Sequence, residues 1–400
     1  MTIFRTLYVD MDSFFASVEK QLDPFLRKKP VGITAVNQDS GCIVAASYEA
    51  KAYGVKTGTR VYEAKILCPN ILLRESRHKL YVRYNQKIAS ILDGIAELEK
   101  IRSIDEFQIA LGGDSARLKS AISLAVQMKL KIKELMGPEI TLSIGIASNP
   151  LLAKIASKLD KPDGLQWLSF NNMPQKIRHL DLDDLPGISR GLRLRLWKAG
   201  VYDIQSLYNL DPAHARIIWK SIEGERFVRS LRGENIPIGN TIRRRYGNSK
   251  VLSPEYRSIK KAYLVGRWLI EKSSERLRKH KYCSGRLDII VRTSSLGTWA
   301  DSITFTPSQN TFFFLEQFAN LWDKMIDSIR PLYIDSLGVH FSDIIFLKDR
   351  SAEFFIGFEA GKQNKKEKLS SSIDNLNFRY GKRVVKFGIH KEHPGFFEKG

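Results

Sequence analysis

Asp10 closes a short apolar run, Leu7-Tyr8-Val9, and Asp105 and Glu106 stand side by side in IRSIDEF at a second apolar run. Carboxylates delivered at strand ends are hard oxygen donors of the kind Mg²⁺ takes, and no His or Cys stands at ligand spacing. The pair Asp10 and Asp12 alone equally fits a strand end capped for the next helix. It is the distant acidic pair that turns Asp10 into a candidate metal ligand. Two Mg²⁺ ions held in this way clamp the attacking and leaving oxygens of an in-line phosphoryl transfer. Such a protein needs little acid–base machinery, because metals and fixed cations stabilise the developing charge. Asp10 and Asp105 are then the shared ligands and Glu106 serves the attacking side. The Met11 carbonyl completes the sphere of the ion that carries a triphosphate. Tyr48, Lys51 and Lys161 are the candidates for the phosphates, and Phe14 and Phe15 offer flat apolar surface to a sugar or base. Weighed against that last reading, aromatic pairs are usually core.

The chemistry requires Asp10 and Asp105–Glu106 to be neighbours in one sheet. After the first strand, PVGITAV and CIVAASY read as two strands followed by a helix from about Tyr48 to Gly54, so residues 13–77 form a small inserted lobe. A helical pattern from Ser76 to Glu97 carries Leu80, Tyr84, Ile88, Ile91 and Leu92 near one face. Two short strands follow, LEKIRSID and EFQIAL, and then a helix with Leu118, Ile122, Ala125, Ile132 and Leu135 on one stripe, stopped by Gly137-Pro138. TLSIGIA is a strand, and PLLAKIASKLDKPDG a helix with a Pro/Gly ending. With the insert set aside the order is β-α-β-β-α-β, the ferredoxin-like arrangement, in which the first strand lies beside the central hairpin.

Four hundred residues imply two to four domains. The net charge of +21 implies a polyanionic partner, with nucleic acid ahead of an anionic membrane. No apolar run approaches ~18 residues, and the N-terminus carries no secretory or lipidation pattern. Cys42, Cys68 and Cys283 lie far apart without metal spacing, which fits a reducing cytoplasm.

From Asp183 to Gly233 the pattern is helical, with helix, tight Leu-Pro-Gly-Ile turn and helix in DLPGISRGLRLRLWKAGV. Gly187, Ser189 and Arg190 at this turn offer backbone N–H groups and a basic helix start to a phosphate, and Arg193, Arg195 and Lys198 follow. An ordinary turn between two helices is the plainer alternative. A polar linker with Arg243, Arg244 and Arg245 leads to a second β-α-β-β-α-β pattern. Between Thr241 and Ile290 there are fourteen Lys/Arg against four Asp/Glu, so this lobe is the most basic part of the chain. Leu287, Ile289 and Val291 should face its helices. Arg286, Arg292, Ser302, Thr304 and Thr306 should face out, on a flat polar sheet suited to DNA or to bulk solvent. The tail from Ser351 reads as a lysine-rich loop, a short helix and a strand.

YVDMDSFFASVE, AASYEAKAYGVKTG, RSIDE, LSIGIASNPLLAKIASKLDKPDG and DLPGI, in this order, resemble the signatures of the Y-family translesion DNA polymerases, with polymerase IV and the polymerase V catalytic subunit the nearest branch. The resemblance covers about residues 1–347. It implies an α+β multidomain right-hand polymerase: a ferredoxin-like palm (1–12 and 78–166), small fingers (13–77), and a helical thumb with a helix-hairpin-helix (167–235). A linker (236–248), a little finger (249–347) and a C-terminal extension (348–400) complete it. It also implies metal ligation by Asp10, Asp105 and Glu106, triphosphate contacts at Tyr48 and Lys161, and rejection of a ribose 2′-hydroxyl by Phe15. The implied partners are primer–template DNA, a deoxynucleoside triphosphate and a sliding clamp. The clamp is an expectation of the family only, since the chain's QLDPF (residues 21–25) sits at a helix end inside the fold. Two departures stand out: Lys51 where the family commonly has an arginine, and Phe107 and Ala110 behind Glu106 where it has a small residue and an aspartate. The rival readings are another two-metal palm protein, a nuclease or nucleotide cyclase, and a catalytically weak accessory homologue. Loss of one carboxylate would mark the last, and all three are present.

Overall fold

The computed structural model describes residues 3–35, 39, 41–237, 243–350 and 358–392, the side chains of 358–364 excepted. The described residues divide into two compact units, one on each side of residues 238–242.

The first unit begins with β1 (Thr6–Met11) and α1 (Phe14–Leu22). The inserted lobe follows as β2 (Val31–Thr34), β3 (Ile43–Ala46), α2 (Tyr48–Lys51), α3 (Val61–Leu67) and β4 (Leu72–Glu75). Its three-stranded sheet runs β3-β2-β4, with β4 parallel to β2. Neither α3 nor β4 is apparent in the sequence, because both are short and β4 is only half-buried. Then come α4 (His78–Asp93), β5 (Leu98–Ile101), β6 (Glu106–Ala110), α5 (Leu118–Met136), β7 (Leu142–Ala147), α6 (Pro150–Lys158) and β8 (Leu165–Trp167). The main sheet runs β5-β6-β1-β7-β8. Its first four strands have the ferredoxin-like order, with β1 antiparallel to both neighbours.

All six residues of β1 are buried, because helices cover both faces of this central strand. Leu7, Val9 and Met11 join Phe107, Ile109, Ile144 and the α4 and α5 side chains in one core. Burial of each large aliphatic side chain in such a core contributes roughly 1.5–3 kcal/mol. Phe107 is fully buried on the face opposite Glu106, so this departure fills the core without disturbing the acidic face. The buried stripe of α5 is Ala121, Ala125, Met128, Ile132 and Met136, whereas Leu135 is 42% exposed. The helix is thus rotated slightly from the expected stripe, which lays its small alanines on the sheet. On the other face α6 lies close against β7. A Cβ on Gly145 would stand 1.9 Å from the Ala153 carbonyl, so only glycine admits α6 at this distance.

The helical end of this unit comprises α7 (Arg190–Lys198), α8 (Ile204–Asn209), α9 (Pro212–Trp219) and α10 (Ile222–Leu231). The element expected as a helix before the Leu-Pro-Gly-Ile turn is a single 3₁₀ turn, Leu182–Asp184, ended by Pro186 and Gly187.

The second unit is β9 (Tyr246–Val251), α11 (Ile259–Lys279), β10 (Tyr282–Thr293), β11 (Gly297–Ser308), α12 (Thr311–Ile329), β12 (Ser336–Phe346) and α13 (Phe358–Arg379). Its sheet runs β11-β10-β12-β9, again ferredoxin-like. The first strand starts at Tyr246, three residues earlier than expected, because the Tyr246 ring is a core residue that anchors the strand end. The tail also departs from expectation: it is one long helix, α13, and residues 380–392 contain no strand. Arg278 of α11, buried, bonds both oxygens of Asp374 at 2.6 and 2.9 Å, and Arg350 bonds Glu367 at 2.9 Å. Asn377 caps the returning segment through Val384 and Val385. No helix among the described residues is long and apolar enough to cross a membrane.

Candidate active site

Register answers whether the acidic residues meet. Asp10 is the Cα partner of Glu106 across the β1–β6 pair, and the Met11 amide donates to the Asp105 carbonyl at 2.9 Å. The three carboxylates therefore gather at one end of the sheet. Each is held by a different group. Lys161 Nζ bonds Asp10 Oδ1, Ser103 Oγ bonds Asp105 Oδ1 at 2.5 Å, and Lys154 Nζ bonds Glu106 Oε1 at 2.5 Å. The Tyr8 hydroxyl also donates to Glu106 Oε2 at 3.1 Å. Among the described residues no three His, Cys, Asp or Glu side chains converge tightly enough to hold an ion as they stand. The backbone thus brings the three expected carboxylates to one sheet end, and each side chain there has its own lysine or hydroxyl partner.

The donor chemistry nevertheless fits a divalent cation. All the donors are hard oxygens, and Asp10 is 7% exposed. Burial pushes its carboxyl up from the usual range, Lys161 works against this, and the charges of Asp105 and Glu106 push it further up. Crowded, desolvated carboxylates are the environment that a divalent cation relieves. Tyr8 is pushed up by burial and then by Glu106, so its hydroxyl stays a donor.

Asp12, by contrast, is internal structure. It is 1% exposed and accepts from Ser143 Oγ and the Asp163 amide, each at 2.8 Å, and from the Tyr48 hydroxyl at 3.3 Å. These bonds tie the loop that carries Lys161 to the end of β1. Ser13 turns the chain from strand to helix at φ 45°, a left-handed conformation costing about 1–2 kcal/mol for a residue with a Cβ. That turn sends Asp12 inward and Phe15 forward.

A 220 Å³ cavity opens beside Asp10, Met11 and Asp105, with Phe15, Lys51 and Lys161 also in its lining. Phe15 is half-buried and stacks on Tyr81, with ring centroids 4.2 Å apart and planes 14° from parallel. Below it, buried Glu19 accepts from Tyr81 at 2.8 Å and from Arg77 Nε at 3.0 Å, which fixes α1 against α4. Phe14 touches the cavity but is 3% exposed and belongs to the core, as aromatic pairs usually do in part. Lys51 Nζ bonds Ser13 Oγ at 2.8 Å and lies 4.2 Å from the Tyr48 ring. Tyr48 itself lies behind this rim on Asp12.

Tyr8, Ser103 and Lys154 belong to the site and escaped the sequence reading. A signal for the last was present: Lys154, Lys158 and Lys161 recur at i, i+4 and i+7 along α6 and its loop, one face of a helix. Burial, and then Lys154, pushes Lys158 down.

The other expected contacts lie elsewhere. Gly187 is exposed at φ 97°, a left-handed turn that glycine supplies. Ser189 caps α7 by accepting from the Leu192 amide, and Arg190 is exposed. Arg193 and Arg195 are held inside the unit, on Asp183 and on the Ile218 and Trp219 carbonyls. In the second unit Leu287, Ile289 and Val291 are buried, and Arg286 is paired with Thr304 across β10–β11. Arg292 and Thr304 are exposed, whereas Arg286 bonds Asp288 at 2.7 Å. Arg243 lies over the Tyr246 ring, Arg244 is exposed, and Arg245 approaches Asp288 at 3.9 Å. The QLDPF segment ends α1, and Gln21 accepts from the Glu139 amide, but the segment is not inside the fold as expected, because Leu22 and Phe25 are exposed.

A ferredoxin-like sheet ending in these carboxylates, with a small inserted lobe, a helical end and a separate basic β-α-β-β-α-β unit, is the build of a Y-family polymerase. The solved structures agree in fold. A Y-family DNA polymerase chimera of Dbh and Dpo4 superposes with TM-score 0.70 at 23% identity, covering 86% of this chain and 99% of that one. An insertion ternary complex of Dbh DNA polymerase superposes at 0.56 over the same shares. The impB/mucB/samB family matches residues 9–158, and its C-terminal domain matches residues 243–353. DNA polymerase IV of Moorella thermoacetica is 30% identical over 95% of this chain and 94% of its own length. DNA polymerase IV of Bacillus velezensis is 30% identical over 96% and 93%. The chain belongs to the impB/mucB/samB family of Y-family translesion DNA polymerases.

Proposed function

We propose that this chain extends a primer on a DNA template by nucleotidyl transfer with two Mg²⁺ ions, and does so past damaged template bases. The observation that carries the reading is the placement of Asp10 opposite Glu106, with Asp105 adjoining, beside a cavity that holds Phe15, Lys51 and Lys161. Bound divalent ions supply charge neutralisation at the attacking and leaving oxygens. Asp10, Asp105, Glu106 and the Met11 carbonyl are the residues that would hold them. Lys161 and Lys51 neutralise phosphate oxygens of the incoming nucleotide, with Tyr48 supporting them from behind, and Phe15 lies against its sugar. Gly187, Ser189 and Arg190 meet DNA phosphates by backbone and charge. So do Arg243, Arg244, Arg245, Arg286, Arg292 and Thr304 on the second unit. We assign 1–12 and 78–166 to the palm, 13–77 to the fingers, 167–235 to the thumb, and Tyr246 to residue 347 to the little finger. Free thiols at Cys42, Cys68 and Cys283 are consistent with a cytoplasmic enzyme.

Primer extension on a templated oligonucleotide tests the reading. Incorporation should require a divalent cation and stop with chelator. Folded protein that binds the duplex, yet adds no nucleotide with Mg²⁺ present, would overturn it in favour of an accessory DNA-binding role.

Lys51 provides a sharper test of the fingers. An ammonium is a point charge, whereas a guanidinium grips phosphate with two parallel bonds. Lys51→Arg should change nucleotide KM by roughly 3- to 10-fold, the worth of about one added net hydrogen bond, and leave DNA affinity alone. An unchanged KM would mean that Lys51 serves Ser13 and not the triphosphate.

A further inference from the structure

Three carboxylates crowd one sheet end, and the chain answers two of them with ammonium groups, Lys161 on Asp10 and Lys154 on Glu106. In the reading above Lys161 passes to the phosphates of a nucleotide, whereas Lys154 has no task. Its Nζ lies 2.5 Å from Glu106 Oε1, and the two side chains are only 26% and 17% exposed. Glu106 thus spends one oxygen on a lysine, while its Oε2 accepts from the Tyr8 hydroxyl at 3.1 Å. A charge-assisted bond of this kind is roughly twice as strong as a neutral one. A divalent ion bound by Glu106 must contend with it.

The backbone under Lys154 is fixed. Ala153, Ile155 and Ala156 beside it are buried, and Gly145 of β7 lets α6 come into contact with the sheet. Exchange at Glu106 therefore falls to the lysine side chain alone, a flexible four-carbon stem with a compact charge at its end. The Tyr8 ring centroid lies 5.5 Å from Lys154 Nζ, within the range at which an aromatic face attracts an ammonium. The ammonium thus has a second neighbour when it leaves the carboxylate, and the hydroxyl of the same tyrosine keeps Glu106 oriented. The cation also has a structural purpose. Asp10 and Glu106 are partners across β1–β6 with Asp105 adjoining, and carboxylates gathered in this way repel one another unless a positive charge stands among them.

We infer that Lys154 is a positioning residue for the divalent ion: it holds Glu106 as a stand-in cation, competes with the ion for Oε1, and yields that oxygen when the ion enters. The inference rests on the reading of Asp10, Asp105 and Glu106 as metal ligands. Its consequence is a trade. The chain gives up part of its ion affinity, and in return the acidic strand end is assembled before any ion arrives.

The test is Mn²⁺ binding to the full chain without DNA or nucleotide, with free Mn²⁺ read by electron paramagnetic resonance at constant pH and ionic strength. Lys154→Met keeps the apolar stem and removes the charge. It should bind Mn²⁺ about 10-fold more tightly, the equivalent of one charge-assisted hydrogen bond that no longer has to be displaced. Lys154→Arg keeps the charge and should bind no more tightly than wild type. Before Mn²⁺ is added the Met variant should unfold at a lower temperature than wild type, and saturating Mn²⁺ should raise its midpoint by more. The Mg²⁺ concentration for half-maximal primer extension should also fall about 10-fold in the Met variant. Lys154→Gln, which can still donate to Glu106, should shift Mn²⁺ affinity in the same direction and serves if the Met variant is too unstable to titrate. Unchanged or weakened affinity in a folded Met or Gln variant overturns the inference. So does an equal tightening by Arg and Met, which would assign the effect to packing and not to charge. Mn²⁺ binding that Asp10→Asn does not weaken would instead take the ion away from this site and sink the metal reading itself.

Discussion

Asp105→Ala and Glu106→Ala should each lower single-turnover primer extension by about 10³-fold or more, the scale of about 4 kcal/mol of lost transition-state electrostatics. The expectation follows from the strand register, which sets Glu106 opposite Asp10 and Asp105 at the end of the pair. The two changes differ in their structural side effects. Removing Glu106 leaves the Lys154 ammonium and the Tyr8 hydroxyl without their carboxylate, whereas removing Asp105 deprives only the Ser103 hydroxyl. Glu106→Gln separates charge from packing, because the amide oxygen still accepts from Tyr8 while the negative charge is gone. Extension by the Gln variant should be nearly as poor as by the Ala variant, with a thermal midpoint close to wild type. Near-normal extension by either Ala variant with an intact fold would remove these residues from the reacting centre. Extension that falls only in step with stability would make Glu106 a counter-ion for Lys154 and nothing more.

Phe15→Ala should collapse the preference for deoxyribonucleotides. The Phe15 ring lies in the cavity that Asp10 and Asp105 line, and Tyr81 stacked behind it prevents retreat. A ribose 2′-hydroxyl pressed against the ring meets an overpacked contact of about 1–3 kcal/mol. It also loses water without gaining a partner, for roughly another 1–3 kcal/mol on mutational scales. Together these give a discrimination of very roughly 10² to 10⁴, most of which the Ala variant should lose while deoxynucleotide insertion changes much less. The Glu19–Arg77–Tyr81 network remains to hold α1 on α4 in the variant. The measurement is the ratio of kcat/KM for deoxy- over ribonucleotide, read beside the thermal midpoint. A constant ratio with a collapsed midpoint would return Phe15 to the core. Phe15→Leu, which retains apolar bulk, should keep an intermediate ratio and a near-native midpoint.

Much of this site was legible before any fold was known. Apolar runs interrupted at Asp10 and Glu106, helical stripes between them and the Gly137-Pro138 stop determine a β-α-β-β-α-β order. That order alone makes the first and third strands neighbours. The outward and inward faces of β10 likewise follow from alternation, because a strand's period is two and one face must be buried. The sequence by itself therefore determined which residues could come together. It did not determine what each would touch. Asp12 looks like Asp10 in the chain, yet the Ser143 hydroxyl, 131 residues away, and the Asp163 amide, 151 away, make it an internal tie. Arg193 and Arg195 look as available as Arg190 until Asp183 and the end of α9 claim them. Lys250 and Lys272 are far apart in sequence and of ordinary character, and only the packing of β9 on α11 brings both to one tryptophan. Periodicity is a local property that short-range backbone geometry enforces, so it can be read along the chain. The choice of an ionic partner is made by distance and burial, and those are decided only when remote segments pack.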